Sequence, residues 1–288
     1  MALTDPSTAL RPTGPTVSEL RHRAEMPMLV VGIELTAIVV TGALVFILVG
    51  LPLDEWAFGV LIGLFAPVAS FIYIRYLYWS KISNGVEVTD EQFPEHYAVY
   101  RELALEMGFG AGTGRMSGIP QIYVINGNGT MNAYAAKCQL QRGYVVVYSD
   151  LVDLAYVHGD FGALRFIMGH ELGHIRCGHV NLWRSGIQPI LVLLRLSPTL
   201  SRAQEYTADR TASYYAPEDA MKMIALFSGK NLASRVDVDA YIRSVDRHKN
   251  GFWLRLSNFL SGHAVGFRRM KALSQVKTQG WNVQGKML

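Results

Sequence analysis

FIMGHELGHIRCGHV, residues 166–180, contains the pattern H-E-x-x-H, formed by His170, Glu171 and His174. On a helix, residues four apart share a face, so both imidazoles can bind one metal ion. Glu171 then lies beside the metal, where its carboxylate can accept a proton from water. Because so short a pattern also arises by chance, a metal site requires a third ligand elsewhere in the chain.

The segment SRAQEYTADR, residues 201–210, supplies the candidate for that ligand. A catalytic zinc site typically has three protein ligands and one open position. Glu205 offers a carboxylate, and Asp209 lies four residues further on the same helical face, where it can accept a hydrogen bond from the outer nitrogen of a ligand histidine. The alternative is a solvated helix face shared with Arg202 and Arg210. Combined with the H-E-x-x-H helix, the segment predicts one zinc ion (Zn2+) per chain.

Two long apolar runs precede the metal motif, from Leu29 to Leu53 and from Trp56 to about Trp79. Each is longer than the roughly 20 residues that cross a bilayer. The chain is 50% hydrophobic and only 17% charged, which is the balance expected of a membrane protein. A secretory signal peptide is the alternative for the first run, but its apolar part is too long. We therefore predict a transmembrane helical hairpin at residues 29–80.

Charged residues around the hairpin predict its orientation. Basic residues flank its outer ends: Arg21, Arg23, Arg75 and Lys81. The loop instead carries Asp54 and Glu55, so the positive-inside rule places residues 1–28, expected to be a flexible tail, and everything after residue 80 in the cytoplasm. We expect an integral protein of a bacterial-type plasma membrane. The net charge of +4 without basic runs gives no indication of a nucleic-acid partner.

The pattern after residue 80 is that of a globular domain, which we expect to extend to residue 288. A helix is predicted to begin at Thr89 or Asp90 and to end at Gly108. Strands are predicted around residues 121–125, 131–137 and 143–149, and helical patterns occupy most of the rest. The fold class is therefore α+β, a helical hairpin followed by a mostly helical domain with a small β-sheet. The apolar segment 187–196 is too short to span a membrane and predicts a buried or membrane-grazing helix.

The motifs GHELGHIRCGH, EYTAD and NAYA together resemble the zinc metallopeptidase family of the CAAX prenyl endopeptidases and the HtpX-like heat-shock membrane proteases, which is of the gluzincin type. The resemblance implies a zincin fold. In that family the first motif gives two zinc ligands and the general base, here His170, His174 and Glu171. The acidic motif gives the third ligand, Glu205, with Asp209 in support.

The NAYA segment matches the edge strand beside the active-site cleft of that family. Its residues are Asn132, Ala133, Tyr134 and Ala135. An edge strand can bind an extended polypeptide substrate by backbone pairing, which suits a protease with loose sequence demands.

A third family motif lies near the C-terminus, where a His-Pro pair is usually followed by an arginine. His263 and Arg269 have the matching spacing, but Ala264 replaces the proline. The resemblance implies that His263 donates a hydrogen bond to the oxyanion of the reaction; the alternative is a surface histidine in a basic helix. His179, five residues after His174, is predicted to pack at the helix end and not to bind metal.

These observations predict a membrane-anchored zinc-dependent endopeptidase that acts on cytosolic or membrane proteins, with quality control as the expected role. The HtpX-like branch is the closer one, because the prenyl endopeptidases have many more membrane spans. Two alternatives stay open, a processing protease of narrow specificity and a non-catalytic, zinc-stabilised membrane adaptor. The intact Glu171 argues against the adaptor, since a binding module has no use for a general base.

Overall fold

The computed structural model describes residues 14–50, 55–111, 113–137, 143–248 and 250–287. Within them the chain forms twelve α-helices: α1 Val17–Leu20, α2 Glu25–Leu48, α3 Glu55–Ile82, α4 Pro94–Glu106, α5 Ser149–His158, α6 Gly162–Arg176, α7 Gln188–Leu193, α8 Ser197–Tyr215, α9 Ala225–Ser228, α10 Val238–His248, α11 Phe252–Leu260 and α12 Gly266–Gln279. Its four strands are β1 Gly85–Glu87, β2 Gln121–Ile125, β3 Ala133–Ala136 and β4 Tyr144–Tyr148. Short 3-10 helices lie at Gly114–Met116, Leu182–Gly186, Pro217–Ile224 and Ala233–Arg235. The mostly helical α+β prediction is confirmed.

The four strands form one mixed sheet in the order β1-β2-β4-β3. β2 and β4 run parallel, and the two outer strands are antiparallel to their neighbours. The three strands expected from the sequence are present, and β3, which contains most of the NAYA segment, lies at the edge of the sheet. β1 was not predicted, because three residues are too few to show an alternating pattern.

Both faces of the sheet are covered, so the two central strands, β2 and β4, are apolar apart from the exposed Gln121 at the start of β2. Val145 and Val147 of β4 face a core formed with α4, α5 and α6. Val146 faces the opposite side, where Tyr78 at the end of α3 packs against it. Tyr78, near the end of the second apolar run, is thus part of the core of the domain.

Helix α4 begins at Pro94 and not at Thr89 or Asp90, so that boundary prediction was wrong. A proline at the first helical turn has its φ preset and needs no partner for a missing N–H. Thr89 instead closes a turn by accepting a hydrogen bond from the backbone N–H of Gln92. Gly108, with φ of 85°, follows the end of the helix as expected.

Helices α2 and α3 correspond to the two predicted membrane spans and contact each other. Among the described residues, α2 has the length and apolarity of a membrane-crossing helix, and little of its apolar surface is buried. The predicted loop lies largely outside the described residues, as do the side chains of residues 55–58, 60–62, 64 and 66–67 of α3. Helix α7, in the apolar segment 187–196, packs against α2: its Leu191 is buried, but Val192 and Leu193 are exposed.

The prediction of a flexible tail through residue 28 was wrong from residue 14 onward. Leu20, His22 and Glu25 are all buried against the domain. The guanidinium of Arg210 on α8 donates hydrogen bonds to the backbone oxygens of Glu19 and Leu20. Residues 1–13 lie outside the described part of the chain. Residues 14–28, here called the N-terminal strap, are therefore ordered, because the buried guanidinium of Arg210 donates to their carbonyl groups.

Candidate metal centre

Helices α6 and α8 carry the two metal-binding motifs and pack closely against each other. Gly173 lies at their contact, where a Cβ atom would be 3.1 Å from the Cβ of Thr211. Because glycine has no Cβ, the two helix backbones can approach closely at this position. The approach places His170 and His174 opposite Glu205.

The three ligand side chains bring their donor atoms into a compact triangle. The two Nε2 atoms of His170 and His174 are 3.1 Å apart. Glu205 places Oε2 3.5 Å from Nε2 of His170 and Oε1 3.7 Å from Nε2 of His174. In a tetrahedral zinc site with bonds of about 2.1 Å, neighbouring ligand atoms are about 3.4 Å apart. The donor set therefore fits one zinc ion.

The charges around the triangle also suit a cation. Burial and Arg269 lower the pKa of His170, but Asp209 and Glu205 outweigh them and raise it to about 9. Burial favours the neutral form of Glu205, yet Arg269 and His170 hold the pKa of this carboxyl well below its ordinary value. Burial and the neighbouring His170 hold the pKa of His174 well below the usual range, so its imidazole is neutral. A neutral imidazole beside an ionised carboxylate is a suitable donor set for zinc.

The outer nitrogen of His170 faces a carboxylate that an arginine holds in place. Nδ1 of His170 lies 2.8 Å from Oδ1 of Asp209. Arg269, on α12, donates to Asp209 through Nε at 2.8 Å and Nη2 at 2.6 Å, and its Nη1 is 3.0 Å from Oε2 of Glu205. This pairing holds one proton of His170 on Nδ1 and leaves Nε2 as the nitrogen that faces the triangle and would bind a metal ion. Asp209 and Arg269 thus lie directly behind the ligand triangle, in contact with His170 and Glu205.

The alternative for residues 201–210 was a solvated helix face that includes two arginines. The structure does not show such a face at these arginines. Arg202 and Arg210 are both buried. Arg202 donates to the backbone oxygens of Asn258, Phe259 and Ser261, and so ties α8 to the end of α11.

The outer nitrogen of His174 faces a second imidazole. Nδ1 of His174 lies 2.8 Å from Nδ1 of His179, and Nε2 of His179 lies 3.2 Å from Oε1 of Glu25. Burial lowers the pKa of His179, so the ring is neutral. The prediction that His179 only packs at the helix end was incomplete, because its ring contacts a predicted zinc ligand.

Glu171 lies on the cleft side of α6, between the ligand triangle and the edge strand. Its carboxylate accepts a hydrogen bond from the backbone of Ala135 in β3. Burial raises the pKa of Glu171 to about 7, although the nearby His170 acts in the opposite direction. A carboxyl with a pKa near neutrality can both accept and return a proton, as a general base and acid must.

A cleft runs along the ligand triangle and the edge strand, and nearly every residue expected at the site lines it. The edge strand forms one wall, with Asn132, Ala133, Tyr134 and Ala135. The ligand triangle and Glu171 form the floor, while apolar side chains line another part of the wall: Phe166, Ile167, Met223 and Leu226. Asp209 lies behind the floor. The cleft thus combines a strand edge, a candidate metal site and apolar surface.

His263 reaches the cleft from the loop between α11 and α12. Its side chain is 76% exposed, and Nδ1 lies 3.0 Å from Oε1 of Glu205. This contact raises the pKa of His263. The ring therefore faces the metal centre and is more than a surface histidine of a basic helix.

Sequence reasoning did not identify Glu25 as part of this region. It is 0% exposed and lies at the first position of α2, about 150 residues from His179 in the chain. Its only visible signal was an acidic residue just before an apolar run, which ordinarily indicates a residue at a membrane surface. No local spacing connects it to the H-E-x-x-H motif.

Comparison with known proteins supports the resemblance found in the sequence. Residues 94–194 match the model of peptidase family M48. The match includes the edge strand and the H-E-x-x-H motif but ends before Glu205, so the third ligand is assigned by the geometry of the site. M48 peptidases are zinc-dependent. No curated protein gives a significant match to the chain.

Proposed function

We propose that this chain, a member of peptidase family M48, is a membrane-anchored zinc-dependent endopeptidase that cleaves cytosolic or membrane polypeptides. One observation carries the proposal: His170, His174 and Glu205 meet at zinc-binding distances beside a buried Glu171, on the floor of a cleft bordered by an edge strand. A binding module would require the cleft but not the carboxylate with a pKa near 7.

The chemistry follows from the groups that face the cleft. Zinc, when bound by His170, His174 and Glu205, would act as a Lewis acid and make water more acidic. Glu171 accepts the proton of the attacking water on its carboxylate and returns it to the nitrogen of the leaving amine. Asp209 keeps the proton of His170 on Nδ1, so that Nε2 stays available to the metal.

The substrate would bind along β3 as an added antiparallel or parallel strand. Ala133 and Ala135 flank Tyr134 on this strand, and their small side chains leave room for a neighbouring chain. The apolar residues Phe166, Met223 and Leu226 would then contact side chains next to the cleaved bond. Backbone pairing together with apolar contacts favours unfolded or extended segments with exposed hydrophobic residues, and this supports a role in quality control.

His263 is proposed to stabilise the oxyanion of the reaction. Because Nδ1 contacts Glu205, the opposite nitrogen, Nε2, is the one that can reach a substrate carbonyl in the cleft. The carboxylate of Glu205 favours the protonated ring, in which both nitrogens are donors. A charged donor would stabilise negative charge on the carbonyl oxygen.

Membrane anchoring is supported by the exposed apolar surface of α2. Side chains along its length are largely exposed, including Ile38 at 66% and Leu48 at 84%. Val192 and Leu193 of α7 extend this apolar surface beside the first turns of α2. We propose that α2 and α3 span a bacterial-type plasma membrane, with the N-terminal segment and the peptidase domain on the cytoplasmic side, as the flanking basic residues indicate.

The proposal is tested with the purified full-length chain in detergent micelles. We expect cleavage of casein, an unfolded substrate, to require zinc and to stop on addition of a chelator. Glu171→Gln should retain zinc and lose at least about 1,000-fold in kcat, because the amide cannot accept the proton. Glu218→Gln, an exposed acidic residue on a 3-10 helix, is the matched control and should cleave normally. Cleavage that survives the chelator or the Glu171→Gln change would refute the proposal.

Substrate range separates quality control from narrow processing. A panel of unfolded soluble proteins and defined membrane-protein substrates should be cleaved at many sites by a quality-control protease of the HtpX-like branch. Cleavage of one substrate at one site would favour the processing alternative. Zinc binding without cleavage of any substrate would favour the non-catalytic adaptor.

A further inference from the structure

We propose that Glu25 and His179 form a positioning pair for His174, through which the apolar helix α2 helps to hold the metal centre in its binding geometry. The inference rests on the proposed zinc site. It assigns a role to a residue of the N-terminal strap and to a histidine that the proposed chemistry does not use.

Glu25 is held from several sides. Its Oε1 lies 3.2 Å from Nε2 of His179 and 3.4 Å from Nη2 of Arg184, and it also contacts Arg21. Its Oε2 accepts a hydrogen bond of 2.8 Å from the hydroxyl of Thr207 on α8. A buried carboxylate with cationic and hydroxyl partners stays ionised and stays in place.

The contacts allow one arrangement of protons. An ionised carboxylate only accepts, so Nε2 of His179, the nitrogen that faces Glu25, carries a proton, and an imidazole with one proton accepts at its other nitrogen. Nδ1 of His179 is then an acceptor, and the nitrogen of His174 that faces it, Nδ1, must donate. This leaves the lone pair of His174 on Nε2, the atom that points to His170 and Glu205.

A purely structural role for Glu25 and His179 would account for fewer of their contacts. Arg21, Arg184 and Thr207 already satisfy the carboxylate of Glu25, and an apolar side chain would fill the buried position of His179. Only a positioning role accounts for a ring whose two nitrogens connect a buried carboxylate to a predicted zinc ligand. Ligand histidines commonly donate their outer N–H to such a partner, and loss of the partner weakens metal binding.

The consequence is a link between the first apolar helix and the metal centre. Glu25 is the first residue of α2, whereas His174 and His179 belong to the end of α6 and the turn that follows it. A change in the position of α2 relative to the domain would therefore move the partner of His174.

The test measures zinc affinity of the full-length chain in detergent, by competition with a chromophoric chelator. His179→Leu removes both contacts of the ring and should weaken zinc binding about 10- to 100-fold. Glu25→Gln keeps the size of the side chain and should weaken zinc binding by up to about 10-fold, the lower end of the range for partners of ligand histidines. His179→Gln can still accept from His174, so it should recover part of the affinity that His179→Leu loses.

Two controls accompany these variants. Glu34→Gln changes an exposed carboxylate on the same helix, and His96→Leu removes another buried histidine. Both should bind zinc as the unaltered chain does. The visible spectrum of the Co(II)-loaded chain gives a second measurement, and we expect its ligand-field bands to shift in His179→Leu but not in the controls.

The outcomes separate the inference from the proposed function. If the unaltered chain binds no zinc, the proposed function itself fails. If it binds zinc and cleaves casein, but Glu25→Gln and His179→Gln both match it in zinc affinity and Co(II) spectrum, the positioning role is overturned. The amide variants keep this test decisive even if His179→Leu does not fold.

Discussion

The two candidate zinc ligands of the H-E-x-x-H motif are supported from opposite sides of the molecule. His170 faces Asp209 on α8, which Arg269 of α12 holds with two hydrogen bonds. His174 faces His179, which in turn contacts Glu25 at the start of α2. Each ligand histidine is thus linked to a carboxylate. Asp209 contacts His170 directly, whereas Glu25 is linked to His174 through the ring of His179. The comparison shows that one motif draws its support from both ends of the chain.

The directness of the contact sets the expected strength of each support. Asp209 lies 2.8 Å from its histidine and is itself paired with an arginine, so its charge acts on His170 at close range. Glu25 acts on His174 through a neutral ring, and its negative charge is shared with Arg21 and Arg184. We therefore expect changes on the His170 side to have the larger effects.

The largest effect is expected for Arg269→Met. This change leaves Asp209 and Glu205 buried without their cationic partner, and removal of one member of a buried ion pair costs about 3–5 kcal/mol. The free energy of unfolding, measured by urea titration of the detergent-solubilised chain, should fall by that order when a chelator is present. Zinc should recover part of the loss, because it neutralises Glu205. An unfolding free energy within about 1 kcal/mol of the unaltered chain would contradict the assigned pairing.

A smaller effect is expected for Asp209→Asn, which preserves the shape of the side chain and removes its charge. Zinc affinity should fall about 10- to 100-fold, because the outer nitrogen of His170 loses an ionised acceptor. The loss should exceed that of Glu25→Gln in the same chelator competition. The reverse order would show that the relay through His179 is the stronger of the two supports.

The smallest effect concerns His96, a buried histidine of α4 outside both networks. Burial lowers the pKa of His96 to about 4, and its Nε2 contacts the sulfur of Met168. Between pH 6.5 and 4 the unfolded chain binds the proton more readily, so stability falls as the pH falls through this window. From pH 7 to 5.5 the loss attributable to His96 should be about 1 kcal/mol.

The measurement for His96 is a difference between two chains. Urea unfolding of the unaltered chain and of His96→Leu at both pH values should show a steeper pH dependence in the unaltered chain. Equal slopes would mean that His96 takes up its proton without loss of folded structure.

Whether a contact could be predicted from the sequence depended on how far apart its residues lie along the chain. His170, His174, Glu205 and Asp209 could be predicted because each pair lies four residues apart on a helix, and helical spacing fixes their relative directions. The strands β2 and β4 could be predicted from runs of β-branched residues. The edge position of β3, and the roles of His263 and Arg269, came from family resemblance, because no local pattern encodes them.

The contacts of the N-terminal strap, residues 14–28, could not be predicted because they too lack a local pattern in the sequence. Residues 14–28 have little apolar periodicity, and a segment of this composition is usually flexible. It is ordered here because Arg210 binds its carbonyl groups and Thr207 and His179 bind Glu25, all of which lie more than 150 residues away. Such contacts depend on the folded domain and leave no spacing in the sequence.

The central claim is that His170, His174 and Glu205 bind one zinc ion, and metal analysis tests it most directly. The full-length chain, purified in detergent and dialysed against trace zinc, should contain one zinc ion per chain, with X-ray absorption that shows two imidazole ligands and one carboxylate. Glu205→Ala should lose most of this zinc, whereas Glu218→Ala should retain it. A chain without stoichiometric zinc, or a Glu205→Ala variant with unchanged zinc content and X-ray absorption, would contradict the account.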